Sequence, residues 1–64
     1  MSIHYPTVPS TYNRTASEKS AFFDGYLDRQ RGSVNRVEKF GHVGLKKSGK
    51  INKAYMAGWT AAAA

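Results

Sequence analysis

The chain has 64 residues, no cysteine and a formal net charge of +6, with ten Lys and Arg residues against four Asp and Glu residues. A chain this short forms one domain at most and buries only about 60% of the surface that its unfolded form exposes. The absence of cysteine excludes disulfides and thiolate metal sites. No stretch approaches the ~20 apolar residues of a membrane span, and residues 1–10 lack the features of a signal peptide. We therefore expect a cytoplasmic protein with no membrane partner.

The first 14 residues are predicted to form an extended arm, and residues 15–64 a single helical domain. Pro6 and Pro9 exclude a regular helix from the arm, and each proline favours an extended conformation for the residue before it. The arm also contains a Pro-x-x-Pro spacing, but one such match in a tail is nearly uninformative.

A first helix is predicted over residues 16–31. Thr15 and Glu18 have the spacing of a capping box at its start, and Gly32 suits the left-handed position that ends many helices. The helix has one broad apolar face, which we expect to pack in the core, comprising Phe22, Phe23, Tyr26 and Leu27. Asp24 and Asp28 are also four residues apart and are expected on the opposite, solvated side.

The connector that follows is predicted to hold a short helix or turn and then a basic, glycine-containing loop. Val34, Val37 and Phe40 are three residues apart, which suits a short helix capped by Ser33. Three glycines, Gly41, Gly44 and Gly49, then interrupt any regular pattern.

A second helix is predicted over residues 50–62, with Ser48 as its cap. Its apolar positions recur with helical spacing, at Ile51, Ala54, Tyr55, Gly58, Trp59 and Ala62. A glycine on such a stripe usually marks the close approach of another backbone. We therefore expect the first helix to cross the second at Gly58, near Gly25. The predicted fold is all-α, a small two-helix domain with a basic connector.

Most of the positive charge is concentrated in the connector and the helix ends beside it. Residues 29–53 contain eight basic residues and one acidic residue, Glu38, which gives that segment a charge of +7. Such a field attracts phosphate backbones, anionic lipids or acidic proteins. The candidate nucleic-acid-binding residues are Arg29, Arg31, Arg36, Lys39, Lys46, Lys47, Lys50 and Lys53.

The residue types needed for catalysis are not brought together by any motif. His4 and His42 are the only histidines, and they fall in the predicted arm and loop. The sequence has no metal-ligand spacing, and Gly41 and Gly44 do not begin a phosphate-binding loop of the Walker type. We expect a binding protein that is not an enzyme and carries no cofactor.

Two short blocks resemble the helical signatures of ribosome modulation factor, a family of small basic bacterial proteins, in the same order. Residues 25–32 have the form Gly-Tyr, five residues, Gly, and residues 55–62 have the form aromatic-x-small-Gly-Trp-x-x-Ala. The family's Cys-Pro-Tyr segment is missing, the spacer is longer and the arm is extra. The resemblance implies a two-helix protein that binds the small ribosomal subunit through ribosomal RNA and promotes hibernation.

Composition and charge leave alternatives open. RNA or a ribonucleoprotein, the ribosome among them, is the favoured partner. A small inhibitor, such as a phage-encoded one that docks on an acidic surface of a host protein, would have the same length and charge. A structural component of a larger assembly also fits. A membrane-surface peptide is disfavoured because the cations do not follow one face of an amphipathic helix.

Overall fold

The computed structural model describes residues 7–44 and 49–63. A 3-10 turn at Ser10–Tyr12 precedes three helices: α1 (Ala16–Arg31), α2 (Arg36–Phe40) and α3 (Gly49–Ala63). The described ranges contain no strand, so the all-α prediction is confirmed, with two long helices and a short third one inside the connector. The predicted cap at Ser48 lies outside the described residues.

Both ends of α1 are formed by the residues that the sequence indicates. The side chain of Thr15 accepts a hydrogen bond from the Glu18 N–H at 3.1 Å. At the other end Gly32 has a φ of 72°, and the N–H of Ser33 donates to the Asp28 carbonyl at 2.9 Å. This is a Schellman motif, which satisfies the last carbonyls of the helix.

The start of α2 differs from the prediction. Asn35, and not Ser33, caps the helix by accepting a hydrogen bond from the Glu38 N–H at 3.0 Å. The helix begins at Arg36, so its cap position is residue 35 and Ser33 lies two residues before it. The predicted face is also only partly buried: Val37 packs against the core, whereas Val34 and Phe40 are 53% and 54% exposed.

The two long helices meet backbone to backbone at Gly25 and Gly58. A Cβ on Gly58 would collide with the carbonyl of Phe22, with the carbonyl carbon only 2.8 Å away. A Cβ on Gly25 would collide in the same way with the carbonyl of Tyr55, whose carbon would lie at 2.9 Å. The predicted crossing of the first helix at Gly58, near Gly25, is confirmed.

This contact is reciprocal because both helices carry the same local pattern. Residues 21–26 and residues 54–59 each read Ala, aromatic, two variable residues, Gly, aromatic. The alanine, the first aromatic residue and the glycine are buried in both copies. Each glycine thus faces the carbonyl of the first aromatic residue in the other copy, a geometry that also suits weak Cα–H···O contacts. Apolar spacing alone does not reveal this repeat.

The buried face of α1 is rotated from the predicted one. Phe22 is buried, but Phe23, Tyr26 and Leu27 are only half-buried. The fully buried positions are Glu18, Ala21, Phe22, Gly25 and Asp28. The backbones meet at the glycines, and the larger side chains of Phe23, Tyr26 and Leu27 lie to either side of this contact.

The part of the predicted arm that the structure describes packs against the helices. Val8 is buried, and the ring of Tyr12 stacks on Phe22 with centroids 6.3 Å apart. Ser10–Tyr12 form a 3-10 turn after Pro9, so this stretch is not extended as predicted. Pro9 supplies the carbonyl that accepts the first hydrogen bond of the turn, from the Tyr12 N–H at 2.9 Å.

Candidate nucleic-acid interface

Charges of opposite sign are separated between the interior and the surface. Among the described residues, Glu18 and Asp28 are buried, Asp24 is half-buried and Glu38 is exposed on the short helix. The described basic residues are all exposed apart from Arg36, which is half-buried. The outer surface is therefore more basic than the net charge alone indicates.

The buried acidic group, Asp28, is held by two partners. Its Oδ2 accepts hydrogen bonds from the Tyr55 hydroxyl at 2.5 Å and from Arg36 Nε at 2.9 Å. The same Tyr55 hydroxyl accepts a hydrogen bond from the Arg36 N–H at 3.1 Å. The prediction that Asp28 lies on a solvated face is wrong: it is 7% exposed, because the helix crossing turns this side of α1 toward Tyr55.

The network shifts the protonation of its members. Burial works to raise the pKa of Asp28, but the hydrogen bonds from Arg36 and Tyr55 outweigh burial and hold that pKa below its usual value. Burial raises the pKa of the Tyr55 hydroxyl. Burial also raises the pKa of Asp24, against the opposing influence of Arg36, whose nearest nitrogen lies 4.0 Å from Asp24 Oδ1.

Arg36 is a candidate cation with a clear role inside the fold. Its hydrogen bond to Asp28 raises the pKa of its guanidinium, and its charged group also lies 5.6 Å from the centre of the Tyr55 ring. The arginine therefore links the start of α2 to both long helices. The assignment of Arg36 to phosphate binding stays a prediction. Within the domain, Arg36 binds Asp28 and contacts the ring of Tyr55.

Arg29 and Arg31 are exposed at the last turn of α1, as expected from their position in the sequence. The guanidinium of Arg29 lies over the indole of Trp59, with its carbon 5.5 Å from the ring centre. Trp59 is half-buried and stacks on Tyr55, with centroids 6.3 Å apart and planes inclined by 27°. The cation of Arg29 on α1 and the aromatic ring of Trp59 on α3 thus lie next to each other at the surface.

Lys50 and Lys53 line a second basic site, a cleft beside the 3-10 turn. The cleft is also lined by Arg14 and Tyr12, and buried Glu18 forms part of its wall. Arg14 lies outside the basic segment of the sequence, so the count of charges along the chain does not identify it as a candidate. Only the packing of the turn against the helices brings it near the two lysines.

Lys39 lies on α2 and contacts its neighbour Phe40 in the same helix. Its ammonium is 5.5 Å from the centre of the Phe40 ring, and both residues are exposed. Lys46 and Lys47, the remaining candidates, lie outside the described residues, as does His4. His42 is half-buried just after the short helix.

Metal-binding clusters and membrane-spanning helices are both missing from the parts of the chain that are described. Residues 7–44 and 49–63 contain no group of three side chains of the types that hold metal ions. None of the helices described is long and apolar enough to cross a lipid bilayer.

Comparison with known proteins does not extend these observations. No family model matches the chain, and no curated protein or solved structure is significantly similar to it. The resemblance to ribosome modulation factor therefore stays a prediction, carried by the two short blocks that suggested it.

Proposed function

We propose that this protein binds RNA or a ribonucleoprotein through its exposed cations and has no catalytic activity of its own. The observation that carries the proposal is the separation of charge. The fold removes Asp28 and Glu18 from the surface and leaves every described lysine and arginine except Arg36 exposed. A surface with one dominant sign attracts a polyanion over its whole area and strengthens contacts with phosphates.

The ribosome is the particular partner that we propose, with hibernation or another modulation of translation as the outcome. Two features support this. The residues of the two resembling blocks contain Gly25 and Gly58, which are the crossing point of the helices. The domain is also small and basic, as the resemblance implies. The cations available among the described candidates are Arg29, Arg31, Lys39, Lys50 and Lys53.

The dependence of binding on salt tests the general proposal. If five or six cations contact single-stranded RNA, the logarithm of the binding constant should fall against the logarithm of salt concentration with a slope of about −4. Replacing Arg29 and Arg31 together with Gln should reduce the slope by about 1.4, since two contacts are lost. The measurement is fluorescence anisotropy of an end-labelled RNA at several salt concentrations.

A matched control separates a local surface from net charge. Lys19→Gln removes one positive charge from an exposed position outside residues 29–53 that does not line the cleft, and the slope should stay within error of the wild-type slope. Arg31→Gln, which also removes one charge, should reduce the slope by about 0.7. A wild-type slope near zero for the tightest partner found would exclude binding through phosphates. Equal effects of Lys19→Gln and Arg31→Gln would show that total charge alone determines binding.

A second candidate function is inhibition of a host protein by docking on its acidic surface. The observation that favours it is the exposure of Val34, just before α2, and of Phe40, the last residue of α2, whose ring lies near the Lys39 ammonium. Aromatic side chains such as that of Phe40 are enriched at contacts with a protein partner. Treatment of co-purified material with ribonuclease distinguishes the two functions, because only an RNA-mediated complex should be lost.

A further inference from the structure

We propose that Trp59 and Arg29 together form a stacking platform for an unpaired base of RNA. This inference rests on the proposed function and adds to it, because it states which part of the RNA is contacted and by which side chains. Bases in single-stranded loops and ends are recognised by stacking on aromatic rings or on the plane of an arginine guanidinium. Here both kinds of surface occur at one place.

The geometry of the pair already resembles a stack. The Arg29 guanidinium carbon lies 5.5 Å from the centre of the Trp59 ring, within the ~6 Å at which a cation and an aromatic face attract each other. Arg29 is exposed and Trp59 is half-buried. A base can therefore continue the stack on the guanidinium or replace it on the indole.

The Trp59 ring is supported by contacts with the interior of the domain. Trp59 stacks on Tyr55, which is fully buried and held by its hydroxyl between Asp28 and the backbone of Arg36. Gly58, which precedes Trp59 in the chain, contacts the backbone of α1 directly. A ring fixed in this way loses little conformational freedom when a base binds, which favours affinity.

The electrostatics of the place suit a polyanion. Arg29 and Arg31 are both exposed at the end of α1. The nearest acidic residue in the chain, Asp28, is already bound by Arg36 and Tyr55 and is buried. The sugar–phosphate backbone of an RNA therefore meets two cations whose charge is not cancelled by an exposed carboxylate of the same helix turn.

An unpaired base suits this pair better than an acidic peptide does. A carboxylate binds the edge of a guanidinium through its N–H groups and gains nothing from an indole beneath it. A base has a flat face and makes use of both the guanidinium plane and the ring. Quenching of Trp59 by single-stranded RNA, and not by an acidic peptide, therefore distinguishes the two kinds of partner.

Intrinsic fluorescence provides a direct test, because Trp59 is the only tryptophan in the chain. The protein is titrated with a single-stranded RNA of about ten nucleotides, a duplex RNA of the same length and the single-stranded DNA of the same sequence. We expect the single-stranded RNA to quench the tryptophan emission, and the duplex to bind without quenching. Matching quenching by the DNA would overturn the restriction to RNA.

Two conservative variants isolate the stack from the charge. Arg29→Lys keeps the charge and removes the planar group, and we expect it to weaken binding of single-stranded RNA about tenfold, a loss typical of one stacked base. Arg31→Lys, the matched control in the same helix turn, should change affinity less than about twofold. Circular dichroism of each variant checks that the fold is retained.

The outcomes separate this inference from the function on which it rests. Salt-dependent RNA binding without quenching, or with equal effects of the two lysine variants, would overturn the stacking platform and leave the proposed function intact. Quenching by an acidic peptide that is lost in Arg29→Lys would assign the platform to a protein partner and overturn its assignment to RNA. Absence of RNA binding in anisotropy would reject both.

Discussion

At the scale of single residues, the two buried glycines determine how the domain packs. Gly25 and Gly58 have helical backbone conformations, so neither is required for a left-handed turn. They are required because a Cβ at either position would collide with a backbone carbonyl of the other helix. A backbone atom cannot move aside as the end of a flexible side chain can, so the glycines are needed for steric reasons.

Gly58→Ala should therefore destabilise the protein by roughly 1–3 kcal/mol, the cost of overpacking a close contact. In an exposed helix the same change would stabilise by up to about 1 kcal/mol, because Ala favours the helix over Gly. A loss of stability in Gly58→Ala would therefore indicate a backbone contact at Gly58, and a gain would indicate an exposed position. Chemical denaturation followed by far-ultraviolet circular dichroism gives the free energy of unfolding.

Gly49→Ala is the matched control for this measurement. Gly49 is exposed at the first residue of α3, and a Cβ there would meet nothing within 4 Å. The stability of this variant should be equal to or higher than that of the wild type. A Gly58→Ala protein that is also as stable as the wild type would contradict the backbone contact between α1 and α3.

At the scale of elements, the hydrogen bonds around Asp28 connect all three helices. Asp28 belongs to α1, Tyr55 to α3 and Arg36 to α2. Asn35 adds a second link, since its side-chain amide donates to the sulfur of Met56 at 3.3 Å. A helix of five residues has little stability of its own. The short helix is therefore held in place by these polar contacts and by packing of Val37.

The stability of the fold should consequently fall in acid as Asp28 becomes protonated. A carboxyl whose pKa is lowered by folding contributes stability above its unfolded pKa of about 3.9 and loses that contribution as the pH falls through the folded value. Asp28→Asn should cost about 1–3 kcal/mol at pH 7. Its stability should then converge with that of the wild type in acid. Denaturation at a series of pH values between 7 and about 2 measures both effects.

Asp24→Asn is the control on the same helix. Folding raises the pKa of Asp24, so ionised Asp24 opposes folding and its protonation in acid removes that opposition. This variant should be at least as stable as the wild type at pH 7 and should retain the acid loss that Asp28 causes. An Asp28→Asn protein with the full acid loss would show that another carboxyl is responsible.

At the scale of the whole molecule, burial of Glu18 leaves a surface that is more basic than the net charge of +6. The network around Asp28 neutralises one arginine internally, and Glu18 is buried. The other cations described remain exposed around a domain whose principal dimensions are 33, 26 and 17 Å. A particle this small presents basic groups on a large fraction of its surface, which suits docking on a much larger polyanion.

If the ribosome is that polyanion, the protein should sediment with small subunits or whole ribosomes in a sucrose gradient at low salt. Lys46→Gln with Lys47→Gln should reduce the bound fraction, since two phosphate contacts are lost. Lys19→Gln, at an exposed position outside the candidate interface, should leave the bound fraction unchanged. Failure of the wild-type protein to sediment with any ribosomal particle would reject the ribosomal part of the proposal.

Much of the local structure was determined by the sequence itself. The limits of α1 follow from Thr15 and Gly32. The side chain of Thr15 caps the first turn, and Gly32 adopts the left-handed conformation that ends the last turn. The extent of α3 follows from the apolar spacing, with an error of one residue at each end. The crossing at Gly58 was also predictable, because a glycine costs stability inside a helix and an apolar stripe retains one mainly where another backbone comes close.

Only the tertiary structure decided which side of α1 is buried, and with it the chemistry of the surface. Apolar spacing placed Phe23, Tyr26 and Leu27 in the core and left Asp28 outside. The backbone contact at Gly25 and Gly58 sets the rotation of α1 against α3, and this rotation turns Asp28 inward and leaves the three large side chains half-buried. Asp28 finds Tyr55 and Arg36, and Arg29 is placed over Trp59. These pairs are 27, 8 and 30 residues apart in the chain. Such contacts are absent from any local pattern and form only when the packing of α1 on α3 brings the partners together.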